Sequence, residues 1–242
     1  MARSVSEDFG HLVQFVQGYS LATLTADTDY CANLKQGHRE YLVLLSLWAA
    51  IEHELSKGKI KIAGVELVLG SLNFEQLKEC VSDFGSAYFC CVHGIYKPGH
   101  MALRSNIENF VRAISGLFDA KALTTTSIFE LFDIAKTLLP FSGRGALFLA
   151  ALRGTYRELC KFSHSASLTH MAHIGSLQHF PAFNKLAFFE WGKHAKKVMQ
   201  NEISCILHLS PELYTHSHFK VKELLDIGFV DAELRLEILG GK

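Results

Sequence analysis

The amino-acid sequence predicts an all-α fold, an antiparallel bundle of about seven to nine helices. Two observations carry this prediction. Apolar residues recur at three- and four-residue steps over most of the 242 residues, as on one face of an amphipathic helix. Residues that favour helix starts precede several of these segments, and the four prolines fall between them. Because there is no internal repeat and no linker rich in Pro and Ser, residues 1–242 are expected to form one domain.

The predicted helices follow one another as eight segments. They cover residues 9–24, 34–57, 74–92, 103–116, 128–139, 145–165, 184–209 and 220–227. Capping boxes are predicted at the start of three of them, formed by Ser4 with Glu7, Asn73 with Gln76, and Ser127 with Glu130. One stretch breaks the helical period. A short β-hairpin is predicted at residues 59–69, where apolar residues alternate on both sides of Gly64.

Composition and charge narrow the class of protein. Hydrophobic residues make up 49% of the chain and charged residues 20%, a balance typical of a globular protein. The 24 basic and 24 acidic residues cancel, so a surface for nucleic acid has to be local. The apolar stretches are shorter than the ~20 residues that span a bilayer, and no signal peptide is expected, which predicts a cytoplasmic protein without a membrane partner. The six cysteines are scattered, which predicts reduced thiols, and they show no CxxC spacing, which predicts no Cys-based zinc site. No cofactor is expected.

One predicted helix, residues 145–165, carries a basic face. Its apolar face is expected to be buried through Leu149, Leu152, Tyr156, Leu159 and Ser163. The other face presents four basic residues at steps of four, four and three, namely Arg153, Arg157, Lys161 and His164. At about 100° per residue, Arg157 and His164 lie within about 20° of each other and about 10 Å apart along the axis. A phosphate-sized ligand can bridge these two side chains.

The pair formed by Arg157 and His164 suits cleavage of RNA without a metal ion. The guanidinium offers a fixed fork of donors that can stabilise charge on a phosphodiester oxygen in the transition state. An imidazole can take a proton from a 2′-hydroxyl or give one to the leaving oxygen. Since one histidine cannot easily do both at once, a second copy across a dimer axis is expected to supply the other group. The predicted active unit is therefore a homodimer that binds RNA.

The segment RELCKFSH at residues 157–164 resembles the R-x4-6-H motif of the HEPN superfamily of helical ribonucleases. The helix LRSNIENFVRAISG at 103–116 and the context YRELCKFSHSA at 156–166 also look like the paired helices of HEPN-type proteins. The resemblance, which covers about the middle third of the chain, implies a helical bundle, an active cleft at a dimer interface and metal-independent RNA cleavage. It implies a toxin or phage-defence role, with an antitoxin or another regulatory protein as a partner. Arg157 and His164 would be the catalytic pair.

Neighbouring residues are predicted to assist this pair. Arg153 and Lys161 are expected to bind RNA phosphate from the same helix face. Arg104, on the helix at 103–116, either helps to bind RNA phosphate or orient His164, or forms a salt bridge with Glu108 four residues later. Glu158 follows the motif arginine, and we expect it to modulate the site.

Other interpretations stay open. The basic face can be a solvated helix surface, or the chain can be a catalytically inactive HEPN-like module that binds a nucleotide, RNA or a protein partner. Glu158 and the zero net charge favour that alternative, and a structural protein without a ligand is a third. Several other polar and aromatic groups are expected to be structural: a histidine-rich loop without metal (His164, His170, His173, His179), a solvated basic cluster (Lys193, His194, Lys196, Lys197), core aromatics (Phe188, Phe189, Trp191) and a buried Cys160.

Overall fold

Five long helices that alternate in direction along the chain build the fold. The computed structural model describes residues 3–58, 60–165 and 167–240, apart from the side chains of residues 3–8, 169 and 239. These residues contain eleven α-helices: α1 (Arg3–Gly18), α2 (Thr28–Lys57), α3 (Leu72–Val92), α4 (Tyr96–Gly116), α5 (Lys121–Thr124), α6 (Ile128–Ala135), α7 (Arg144–Ser163), α8 (Lys185–Leu209), α9 (Glu212–Thr215), α10 (Phe219–Gly228) and α11 (Ala232–Gly240). The predicted all-α class is confirmed.

The predicted β-hairpin is also confirmed. Two antiparallel strands, β1 (Ile60–Ile62) and β2 (Val65–Leu67), pair Ile60 with Leu67 and Ile62 with Val65. Residue 59, with which the predicted hairpin begins, lies outside the described residues. Ile60, Ile62 and Leu67 are buried, so the hairpin closes one side of the core.

The residues observed at the helix N-termini agree only in part with the predicted capping boxes. Ser127 caps α6 as predicted and accepts a hydrogen bond from the N–H of Glu130 at 3.3 Å. The other half of the predicted box is not formed, because the Glu130 carboxylate accepts from Thr125 Oγ1 and pairs with Lys121. The predicted cap at Asn73 is wrong, because α3 begins at Leu72, two residues before the predicted start, and Ser71 caps it. Asn73 instead donates from Nδ2 to the carbonyl of Ala113 on α4 at 2.9 Å. The side chains of the box at Ser4 and Glu7 lie outside those described.

Three predicted helix ends are shifted. The first helix spans Arg3–Gly18 and is followed by a separate 3₁₀ turn, Leu24–Ala26, consistent with the low helix propensity of Gly18. Helix α6 ends at Ala135, and a 3₁₀ turn at Leu139–Phe141 follows. Leu138 has extended geometry, with φ −92° and ψ 149°, and Pro140 lies in the 3₁₀ turn that follows, so the α-helix does not run on through residue 139. Helix α7 ends at Ser163, two residues before the predicted end.

The alternating directions follow from side-chain contacts between α2, α3, α4, α7 and α8. On α3 and α4, Asn106 Nδ2 donates to the Cys80 carbonyl at 2.8 Å, and the Asn73 contact with Ala113 lies farther from the connecting turn on both helices. On α7 and α8, the ring of Phe148 lies 6.1 Å from that of His208, whereas Phe162 lies 6.3 Å from His194. Both pairs are therefore antiparallel. The buried apolar side chains from α2 to α11 form one continuous core.

A polar cluster ties α3, α4 and α8 together inside this core. Glu202 is buried, and Cys80 Sγ donates to its Oε2 at 3.7 Å. Asn106 Nδ2 lies 2.9 Å from the same sulfur. Burial raises the pKa of Glu202 well above its usual range. Since a buried carboxylate would be costly without a cation, Glu202 acts here as a neutral hydrogen-bonding group.

No helix of the described chain has both the length and the apolarity needed to cross a membrane.

Candidate functional site

The apolar face of α7 is buried as predicted. Leu149, Leu152, Tyr156 and Leu159 are buried, and Ser163 is half-buried. This face packs on α4 and α8 and fixes the rotation of the helix about its axis. The opposite face therefore presents the sequence-predicted site residues outward.

Arg157 and His164 lie on the outer side of α7 near its C-terminal end. Because α7 ends at Ser163, His164 is the C-cap residue. Its φ of −93° and ψ of 4°, with a 3.1 Å hydrogen bond from its N–H to the Cys160 carbonyl, keep it close to the helical path. Both side chains are exposed. Neither forms a hydrogen bond or an ion pair within the described residues.

Arg153 and Lys161, the other two residues of the predicted basic face, contact neighbours. The guanidinium carbon of Arg153 lies 5.7 Å from the ring centroid of Phe132 on α6. Lys161 Nζ pairs with Glu158 Oε2 at 2.5 Å. The hydrogen bond from Lys161 lowers the pKa of the Glu158 carboxyl. The charge of Lys161 is thus largely offset by the residue that follows Arg157.

Arg104 is tied to the side of α7 that faces α4. Its Nε lies 3.4 Å from Glu108 Oε1, which is the i,i+4 pair expected as one of its two roles. Its Nη1 donates to Ser163 Oγ at 3.4 Å, and its guanidinium carbon lies 5.6 Å from the ring centroid of Tyr156. Tyr156 in turn donates from its hydroxyl to Glu108 Oε1 at 2.9 Å. Arg104 therefore links α4 to the residue that directly precedes His164.

Three imidazoles surround the ring of Phe162, close to the end of α7. His100 on α4 stacks on this ring, with 3.7 Å between centroids and 13° between planes. His170 and His194 meet it edge-on, with centroids 4.8 Å and 6.3 Å away. The antiparallel packing of α4 on α7 explains the cluster, because it places the second turn of α4 beside the last turn of α7.

No sequence pattern pointed to His100. Histidine spacing along the chain carries no signal for this cluster, since His100, Phe162 and His194 belong to three different helices. The only usable signal was the predicted pairing of residues 103–116 with the motif helix. The predicted start at residue 103 excluded His100, whereas α4 begins seven residues earlier, at Tyr96.

The electrostatics of His100 are dominated by burial. Its side chain is 1% exposed. Desolvation lowers the pKa of His100 to about 4, which outweighs the opposite effect of its hydrogen bond to the Tyr96 carbonyl. The pKa of His194 is also lowered, chiefly by burial. The imidazole of His100 is therefore neutral near pH 7.

The histidine-rich loop does not gather its members into one site. His164, His173 and His179 are exposed, and only His170 reaches the Phe162 ring, with its Nδ1 2.6 Å from Ser167 Oγ. In the described part of the chain, no group of three or more His, Cys, Asp or Glu side chains is placed to hold a metal ion.

The predictions for α8 and Cys160 hold in part. Phe188 and Trp191 are buried in the core, but Phe189 is 45% exposed, with Lys193 Nζ 4.5 Å from its ring centroid. Lys196 and Lys197 are exposed, in agreement with a solvated cluster, whereas His194 is half-buried. Cys160 is half-buried, where a buried thiol was predicted.

Comparisons of the chain with protein-family models, with curated proteins and with solved structures gave no match.

Proposed function

We propose that this protein is a metal-independent endoribonuclease that acts as a homodimer, with Arg157 and His164 as its catalytic pair. One observation carries the proposal. These two side chains are exposed on one side of α7 and have no partner in the described chain, whereas Arg153, Lys161 and Arg104 contact neighbouring groups. A free guanidinium and a free imidazole at this spacing can hold one phosphodiester between them.

The proposed reaction begins at the 2′-hydroxyl next to the scissile phosphate. His164 removes the proton of this hydroxyl, and the 2′-oxygen attacks phosphorus while the bond from phosphorus to the 5′-oxygen breaks. Arg157 stabilises the negative charge that builds on the phosphate oxygens. The same histidine of a second copy gives a proton to the leaving 5′-oxygen. The products are a 2′,3′-cyclic phosphate and a 5′-hydroxyl, and no oxidant, reductant or metal is required.

The surrounding residues have supporting roles in this proposal. Arg104 is a positioning residue, since it contacts Ser163 and the Tyr156 ring and so orients the end of α7. Arg153 and Lys161 add positive charge that attracts RNA phosphate. Glu158 weakens that attraction, because it pairs with Lys161.

The resemblance of residues 157–164 to the HEPN motif supports the same proposal and extends it. It suggests a toxin or phage-defence effector in the cytoplasm, held in check by an antitoxin or another regulatory protein. The expected symmetric dimer brings the ends of two α7 helices together, so that each copy supplies one histidine to a shared cleft.

The test is an RNA cleavage assay on purified protein with excess chelator. Arg157→Ala and His164→Ala should each slow cleavage by about 100-fold or more, as loss of a transition-state group does. Matched controls are Arg39→Ala and His53→Ala, which remove an exposed arginine and an exposed histidine from α2. Both controls should cleave at the wild-type rate.

Cleavage at the wild-type rate by Arg157→Ala or His164→Ala would overturn the proposal. RNA binding without any turnover by the wild-type protein would instead favour the catalytically inactive module. Glu158, which pairs with Lys161 beside Arg157, is the feature that favours that second function.

A further inference from the structure

A cleft of about 540 Å³ opens beside Phe162, and neither Arg157 nor His164 lines it. Its walls come from the first turns of α4, the last turn of α7, the segment 170–174 and the first turns of α8. Small-molecule sites in proteins span roughly 300–1,000 Å³. The cleft therefore has the size of a site for one small organic molecule.

His100, which lines this cleft, carries an unpaired hydrogen-bond acceptor. A backbone carbonyl can only accept, so the 2.8 Å contact between His100 Nδ1 and the Tyr96 carbonyl places the proton of the neutral ring on Nδ1. Nε2 then carries a lone pair. It is buried and has no hydrogen-bond partner among the described residues, and His100 lines the cleft. Because leaving a buried acceptor unpaired is costly, a ligand N–H or O–H at this position would be favourable.

Two sources of positive charge, a lysine side chain and a helix N-terminus, border the same cleft. Lys97, one turn before His100 on α4, lines the cleft and donates from Nζ to Ser165 Oγ at 2.8 Å. Within the described residues, no carboxylate pairs with Lys97. The N-terminus of α8, a 25-residue helix, borders the same cleft and adds partial positive charge. Glu190 also lines the cleft, but Lys193 lies 2.7 Å from it and offsets its charge.

We propose that this cleft binds a small organic anion. The acidic group of the ligand, a carboxylate or a phosphate, faces Lys97 and the N-terminus of α8. A hydroxyl or amino group of the same molecule donates to His100 Nε2. The body of the ligand packs on the apolar part of the lining, which consists of Phe162, Met171, Ile174 and Leu186. This site is separate from the proposed nuclease pair and goes beyond the proposed function.

Isothermal titration calorimetry with four small probes tests the proposal on the full chain. 4-Hydroxyphenylacetate and 4-hydroxyphenyl phosphate combine an anion with a hydroxyl donor, and at least one of them should bind. Phenylacetate lacks the donor and should bind about tenfold more weakly than 4-hydroxyphenylacetate, the effect of one hydrogen bond. Tyramine keeps the hydroxyl but carries a positive charge and should not bind. The anion that binds more tightly shows whether the site prefers a carboxylate or a phosphate.

Two variants locate the binding to the cleft. Lys97→Met keeps the aliphatic stem of a half-buried side chain and should weaken binding of the anions about tenfold or more. His100→Phe keeps a planar ring on Phe162 and should abolish the difference between 4-hydroxyphenylacetate and phenylacetate. Lys35→Met, which removes an exposed lysine from α2, is the control and should bind normally. If His100→Phe does not fold, NMR of the wild-type protein is the substitute test. Addition of 4-hydroxyphenylacetate should then shift the ring resonances of His100.

Binding of the probes to the cleft should not depend on the proposed nuclease pair. Arg157→Ala and His164→Ala should bind the probes within about twofold of wild type, because neither residue lines the cleft. Probe binding without RNA cleavage would leave the cleft proposal standing and overturn the nuclease. Absence of binding by both anions, equal binding of tyramine, or unchanged affinity in Lys97→Met would overturn the cleft proposal.

Discussion

The imidazole of His100 lies flat on the ring of Phe162, with 3.7 Å between their centroids and 13° between their planes. This contact joins the second turn of α4 to the last turn of α7, and it removes His100 from water. The ionisable groups around it come from other elements: His170 from the loop after α7, and Glu190 and His194 from α8. Their charges partly cancel, so burial decides the protonation of His100.

Burial of His100 should make the protein less stable in acid. The pKa of this group is about 6.5 in the unfolded chain and about 4 in the folded one. Its contribution to the free energy of unfolding is therefore present above pH 6.5 and is lost as pH falls through about 4, by roughly 3 kcal/mol in total. Urea unfolding of wild type and His100→Phe at pH 4 to 7 measures the difference. Parallel stability profiles of the two proteins would contradict this account.

Glu40 on α2 should give the free energy of unfolding the opposite pH dependence. This carboxyl is fully buried, with Gln36 Nε2 donating to its Oε1 at 3.1 Å, and burial raises its pKa to about 7. Its contribution to stability is present below about pH 4.5 and is lost as pH rises to about 7, by roughly 3 kcal/mol. Glu40→Gln should remove this loss, so the variant should gain stability relative to wild type between pH 5 and pH 8. If the free energies of unfolding of Glu40→Gln and wild type differ by the same amount across this range, ionisation of Glu40 does not destabilise the fold.

Gly94, in the turn between α3 and α4, should tolerate replacement by alanine less well than Gly64. Its φ is +78°, and a Cβ atom there would lie 2.1 Å from the carbonyl oxygen of Ala182. Gly64 in the β-hairpin has a similar φ of +84° but open space around it. Gly64→Ala should cost about 1 kcal/mol, the price of the left-handed conformation alone. Gly94→Ala should cost at least about 2 kcal/mol more, because backbone has to move. Thermal unfolding of both variants measures the two losses of stability. Equal losses would contradict the close contact between Gly94 and the Ala182 carbonyl.

Removal of the Glu158 charge should strengthen RNA binding. Glu158→Gln frees Lys161, to which Glu158 is paired, and leaves more positive charge beside Arg157. We expect about threefold tighter binding of single-stranded RNA at low salt, and a smaller gain at high salt. Fluorescence anisotropy in a His164→Ala background measures binding without cleavage. Glu54→Gln, which breaks an i,i+3 pair with Lys57 in the last turn of α2, is the matched control and should leave the affinity unchanged. Equal effects of the two substitutions would mean that the RNA surface lies elsewhere.

Local sequence patterns predicted the elements of this fold well. The apolar period located α2, α3, α7 and α8, and the alternation around Gly64 located the hairpin. The cap at Asn73 was placed wrongly because Ser71 offers the same chemistry two residues earlier, and tertiary packing uses Asn73 to bond the Ala113 carbonyl. Local rules alone cannot choose between two capping residues that lie two positions apart.

The surroundings of the candidate site depended on register between helices, which local patterns do not contain. Periodicity correctly placed Arg157 and His164 outside the buried face of α7. It gave no indication that Arg153 would lie over Phe132, or that His100 would stack on Phe162. Both contacts join residues from different helices and arise only when α6 and α4 pack beside α7.

The central claim, RNA cleavage by 2′-hydroxyl attack at Arg157 and His164, is tested most directly by the 2′-position of the substrate. Wild-type protein in excess chelator is given an RNA oligonucleotide and its fully 2′-O-methylated counterpart, and the products are identified by mass spectrometry. We predict that the RNA is cut to 2′,3′-cyclic phosphate and 5′-hydroxyl ends while the methylated strand stays intact. Cleavage of both strands, or an intact RNA, would contradict it.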